Sequence, residues 1–80
     1  MTNREKYDAI FCDVFELSLA ELGEALEYQS IPAWDSVGHM GMIAGLEDAF
    51  EIEMDTDDII DFSSFDKGKD IMAKYKINLE

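Results

Sequence analysis

Asp35-Ser36-Val37 is the run of this chain best placed for chemistry, because a Pro-containing loop ends just before it and an apolar-periodic stretch begins just after it. A serine in that setting is exposed, and a group can be attached to it. The pair also suits an ordinary helix start, since Asp and Ser side chains accept hydrogen bonds from the first free backbone N–H groups of a helix. Three positions on, His39 makes a serine–histidine pair that could serve as nucleophile and base. No oxyanion donors, orienting acid or pocket can be argued from the sequence, so a hydrolase is not supported and no catalytic residue is assigned. His39 is expected at the core boundary, its ring packed and one nitrogen reaching solvent or backbone.

Two other reactive-looking features have plain readings. Asp55-Thr56-Asp57-Asp58 opens like a calcium loop, but Ile59 and Ile60 stand where that loop needs an oxygen ligand and a glycine, so no metal site is assigned. Cys12 is alone in an apolar helical run and reads as a small core residue of a reducing compartment.

The elements that must position these residues are helical. Tyr7, Ile10, Phe11, Val14 and Phe15 recur at helical spacing and predict a first helix from Asn3 to about Glu16. Leu17 to Ala33, broken by Gly23, Ser30 and Pro32, reads as a long, partly ordered connection with its leucines tucked into the core and Trp34 as an apolar lid. Ser36 to Phe50 forms the second helix, with Asp35 or Ser36 as its cap. Met42, Ile43, Leu46, Ala49 and Phe50 share its core arc, while Val37, Met40, Ala44, Glu47, Asp48 and Glu51 mix apolar groups and carboxylates around Ser36, the composition of a docking face. Gly38, Gly41 and Gly45 form a smooth strip between the two faces, read as close approach of another helix or of the long connection. Asp55 or Thr56 caps a short helix carrying Ile59, Ile60 and Phe62, and Ser63 or Ser64 opens a last helix whose Gly68, Ile71, Met72 and Tyr75 share a face. The expected architecture is an all-α antiparallel bundle of three main helices plus one short helix.

Length and charge narrow the function. Residues 1–80 make one small domain with little room for an enclosed pocket. Leu, Ile, Val and Phe supply 21 of the 80 residues, above the level that marks disorder. The net charge is -13, and the only basic residues are Arg4, Lys6, Lys67, Lys69, Lys74 and Lys76, so 16 of the 19 acids lie in an interval, Tyr7 to Asp66, without a single base. Such a field repels nucleic acid and anionic membrane and steers the chain toward basic patches on other proteins. No basic leader with an apolar stretch opens the chain and no run is long enough to span a bilayer, so a cytoplasmic monomer is expected.

Tyr28-Gln29-Ser30-Ile31-Pro32-Ala33-Trp34-Asp35-Ser36-Val37-Gly38-His39-Met40 resembles the modification-site region of acyl carrier proteins, and the likeness in helix order extends over almost the whole chain. The resemblance implies that Ser36 receives 4′-phosphopantetheine from coenzyme A through a magnesium-dependent phosphopantetheinyl transferase, and that the arm's thiol carries acyl groups as thioesters. It also implies partner recognition through Asp35, Val37, Met40, Glu47, Asp48 and Glu51 by acyl-activating, acyltransferase or synthase enzymes with basic docking patches. Ile43, Leu46, Phe50, Ile60 and Tyr75 are the candidate lining of a cargo cleft. One departure stands out: fatty-acid-synthesis carriers usually have acids two and five residues after the modified serine, and this chain has Gly38 and Gly41. A dedicated carrier of a polyketide, modified-lipid, surface-polysaccharide or aminoacyl pathway is therefore expected, although the glycine pair that precedes the serine motif in many peptidyl carriers is missing. An acidic helical interaction module without a prosthetic group, such as a nucleic-acid mimic, is the alternative of a different class.

Overall fold

Thr2 and Glu5 cap each other at the start of α1 (Asn3–Phe15): the Thr2 hydroxyl accepts from the Glu5 N–H at 3.1 Å, and the Glu5 carboxylate accepts from the Thr2 N–H at 2.8 Å. This reciprocal box satisfies two donors that a helix start would otherwise leave free. Hydrogen bonds from the Thr2 backbone and side chain hold the Glu5 carboxyl below its usual range. The computed structural model describes residues 2–79. It contains α1, a 3₁₀ turn at Leu19–Glu21, α2 (Ser36–Phe50), α3 (Thr56–Asp61) and α4 (Phe65–Lys74). The result is a small all-α bundle in which the expected three main helices and one short helix are all present. No helix among the described residues is long and apolar enough to cross a membrane.

The core is built on aromatic side chains from every part of the chain. Tyr7, Phe11 and Phe15 of α1 meet Trp34, Phe62 and Phe65, with Met42, Ile43, Leu46, Ile71 and Met72 filling between them. Phe11 sits at the centre, edge-on to Trp34 at 5.6 Å and to Phe65 at 5.0 Å, the offset geometry that the ring quadrupole favours. The buried Tyr7 hydroxyl donates to the Phe65 carbonyl at 2.7 Å, and burial pushes this phenol above its ordinary range. Gly68 lets α4 press against Tyr7 and Phe62, because a Cβ there would collide with the Phe62 ring and the Tyr7 hydroxyl.

The glycine strip of α2 faces α1 and the end of the long connection. A Cβ on Gly45 would lie 3.1 Å from Ile10 Cγ2, one on Gly41 would lie 3.7 Å from Val14 Cγ1, and one on Gly38 would run into the Ala33 carbonyl oxygen. Close approach thus accounts for Gly45, against α1, and for Gly38, against the end of the connection, while Gly41 has room for a methyl group.

The long connection is only partly tucked in. Leu26 is buried, and Leu17 and Leu22 pack on the core, but Leu19 is 68% exposed, against the expectation for the leucines of this segment. The 3₁₀ turn aims Leu19 away from the core, toward the outer flank of α1, where it borders a groove with Ala9 and Cys12. Cys12 is half-buried on that flank and not a core residue, a second correction. Burial, then the charges of Asp8 and Glu21, push its thiol up, which makes it a poor nucleophile.

Candidate functional site

The loop before Ser36 is set by backbone hydrogen bonds that no periodicity announces. Gln29 adopts a left-handed conformation (φ 66°), its N–H donates to the Trp34 carbonyl at 2.9 Å, and the Trp34 N–H donates to the Ile31 carbonyl at 3.1 Å. Tyr28 N–H donates to the Ser63 carbonyl at 2.8 Å and Phe65 N–H to the Leu26 carbonyl at 2.9 Å, around an isolated antiparallel bridge between Glu27 and Ser64. The loop is therefore stitched to the α3–α4 junction. It drives Trp34 fully into the core, stacked on Phe15 at 5.0 Å, and delivers Asp35 to the start of α2.

Asp35, not Ser36, is the cap: its Oδ1 accepts from the Gly38 N–H at 2.8 Å. Ser36 is the first residue of the helix and exposed. Beside it, Val37 is 80% and Met40 53% exposed, and across from it Ile60 of α3 is 71% exposed. Ser36, Met40 and Ile60 join Tyr28, His39, Ile59, Phe62 and Ser63 around an open, mostly apolar cleft of about 370 Å³.

His39 is one of the residues lining this cleft. The indole N–H of Trp34 donates to its Nδ1 at 2.9 Å, and because an indole nitrogen is a donor only, Nδ1 is the unprotonated nitrogen. Nε2 then carries the hydrogen and donates to the Ile59 carbonyl at 2.8 Å. The boundary position expected of this residue is found, but both nitrogens are committed inside the protein.

The sequence-derived site residues divide sharply. Asp35, Val37, Met40, Asp48 and Glu51 are exposed around Ser36 and down α2 as expected. Glu47 differs, being half-buried with its Oε2 accepting from the Met54 N–H at 2.9 Å, which makes it a brace for the α2–α3 loop. Of the five cargo-cleft candidates, only Ile60 lines the cleft beside Ser36. Ile43 and Leu46 are consumed by the core, and Phe50 packs against it. Tyr75 is turned toward α3, where its hydroxyl donates to Asp58 Oδ2 at 2.6 Å and accepts from the Asp55 N–H at 2.8 Å. Tyr28, His39, Ile59, Phe62 and Ser63 take the missing places. Of these, Ile59 and Phe62 belong to the short apolar piece Ile59, Ile60 and Phe62 that the sequence shows.

The acidic run that opens α3 is engaged through Asp58. Asp58 accepts from Tyr75 and, at 3.0 Å, from Lys74; these hydrogen bonds, the Tyr75 one first, hold its carboxyl below the usual range. Compared with known proteins, the chain matches no family model, no curated protein and no solved structure.

Proposed function

We propose that this chain is an acyl carrier protein, which holds acyl intermediates as thioesters on a 4′-phosphopantetheine arm at Ser36 and presents them to the enzymes of a dedicated pathway. The observation that supports it is the station of Ser36: an exposed hydroxyl in the first turn of α2, at the mouth of an apolar cleft. Asp35 does the capping, so Ser36 is spared that duty.

The residues present suit the group. The N–H groups of Ser36 and Val37 lie in the first turn, where a helix has no acceptor for them, and together with the helix dipole they favour a phosphodiester on the Ser36 Oγ. Once attached, the arm supplies a thiol that carries acyl groups as thioesters. Asp35 orients the helix start that carries it, and Val37, Met40 and Ile60 offer apolar seats to a partner. Asp48 and Glu51 extend a negative field that draws basic docking patches without holding them tightly, as serial partners require. In this reading the chain lies in the cytoplasm, catalyses nothing itself and is loaded by a magnesium-dependent phosphopantetheinyl transferase. The glycines at 38 and 41 remove two charges that a general fatty-acid carrier usually presents, which favours a dedicated pathway.

Intact-protein mass spectrometry after incubation with coenzyme A, magnesium and a broad-specificity transferase tests this. The expected result is a gain of one phosphopantetheine group, lost in Ser36→Ala. A folded sample that gains nothing from more than one transferase sinks the carrier reading and leaves an acidic interaction module, in which Ser36 is a plain first-turn residue. An aminoacyl or peptidyl carrier would gain the same group and would differ only in its cargo.

A further inference from the structure

The cleft beside Ser36 has a floor made of rings. His39 stands T-shaped to Tyr28 (centroids 5.6 Å apart, 80° between planes) and to Phe62 (6.3 Å, 73°), and nearly parallel to Trp34 (6.2 Å, 16°). Its two nitrogens tie the floor together, one to the Trp34 indole and one to the Ile59 carbonyl on α3. Two of these rings, Trp34 and Phe62, have no exposed surface and reach Phe11 at 5.6 and 6.1 Å. A hydrocarbon chain entering the bundle between Tyr28 and Phe62 would have to displace His39. That would leave a fully buried indole N–H without its acceptor, and the rings behind it are packed against one another.

We infer that His39 is a latch that keeps tethered cargo out of the core, so that an acyl group on Ser36 lies in the outer cleft against Tyr28, Met40 and Ile60. The outer cleft, about 370 Å³, must be shared between arm and cargo. The acyl groups that suit this carrier are thus short or polar, able to remain near solvent, and long hydrocarbon chains are not. His39 is a specificity-determining residue that acts by position: it joins α2 to α3 where the cleft meets the aromatic core. This inference rests on the carrier reading for the point of tethering.

Its test uses Ser36→Cys in a Cys12→Ala background, alkylated at position 36 with N-butylmaleimide or N-dodecylmaleimide. Chemical attachment needs no transferase, so failure of the carrier reading shows in the mass measurement and failure of the latch shows here. With His39 in place, the alkyl protons should show nuclear Overhauser contacts to Tyr28, Met40 and Ile60 and none to Trp34 or Phe11, and the two labelled proteins should unfold at the same temperature. In His39→Ala the dodecyl chain should reach the Trp34 ring and raise the unfolding midpoint by about 4–8 °C over the butyl form. Dodecyl contacts to Trp34 or Phe11 with His39 present would overturn the inference, as would a dodecyl chain that stays outside a folded His39→Ala protein. Should that variant not fold, the arm with His39 intact decides alone.

Discussion

Gly38, Gly41 and Gly45 share one helix face, yet a methyl group meets different surroundings at each. At Gly41 the nearest side-chain atom lies at ordinary contact distance, 3.7 Å, and the position is exposed. Gly41→Ala is expected to stabilise the protein by about 0.5–1 kcal/mol, the usual gain of Ala over Gly in a helix. At Gly38 the same change drives a carbon into the Ala33 carbonyl oxygen and against Phe15. Gly38→Ala is expected to destabilise by about 1–3 kcal/mol, as overpacking does. Urea denaturation of the two variants checks the opposite signs, and a stable Gly38→Ala would show that the loop before Trp34 yields. The same crowding explains why no acid stands two residues after Ser36: the loop that delivers Asp35 to the helix start occupies its space.

Among the α-helices, α3 is the shortest and the one that carries Ile59 and Ile60 to the cleft. Its hold on the end of α4 is Asp58, bonded to Tyr75 and Lys74. Since the folded state holds the Asp58 carboxyl below its usual range, this tie adds stability above the ordinary aspartate range, and the contribution fades as pH falls through the folded value. The hydrogen bond to Asp58 also raises Lys74, so its share persists until pH climbs past the raised ammonium value. Asp58→Asn should therefore unfold at a lower temperature than the parent near neutral pH, and the gap should narrow below about pH 3.9. A gap that does not change with pH would mean that the carboxylate charge contributes nothing to the tie.

At the scale of the whole molecule, a charge of -13 rests on a body of 29 × 27 × 20 Å. All six bases lie on α1's first turns or on α4 and the residues just after it. Three of them pair with acids, Arg4 with Asp8, Lys69 with Asp66 and Lys74 with Asp58, and Arg4 and Lys69 also flank the Phe65 ring. The remaining acids repel one another across distances comparable with the screening length of about 10 Å at about 0.1 M salt. The unfolding midpoint should accordingly rise as sodium chloride is raised from about 10 mM to about 150 mM. A flat midpoint would show that self-repulsion does not limit this fold.

Legible in the residues alone were the helix count and order, the Ser36–Phe50 span of α2, most of its core side chains and the exposed station of Ser36. These follow from short-range rules, namely helical periodicity and capping, which act within a few residues of the chain. The all-α architecture followed because each apolar stripe needs a partner and few arrangements of such short helices supply one. The cleft was not legible: Ile43, Leu46, Phe50 and Tyr75 were sought there, whereas Tyr28, His39, Ile59, Phe62 and Ser63 form it with Ile60. Its shape depends on pairing between residues 35 and 39 positions apart, Tyr28 with Ser63 and Leu26 with Phe65, and on the hydrogen bond from His39 to the Ile59 carbonyl that ties α2 to α3. The commitment of both His39 nitrogens likewise depends on Trp34 and Ile59 arriving together, since hydrogen bonds across space leave no periodic trace in a sequence.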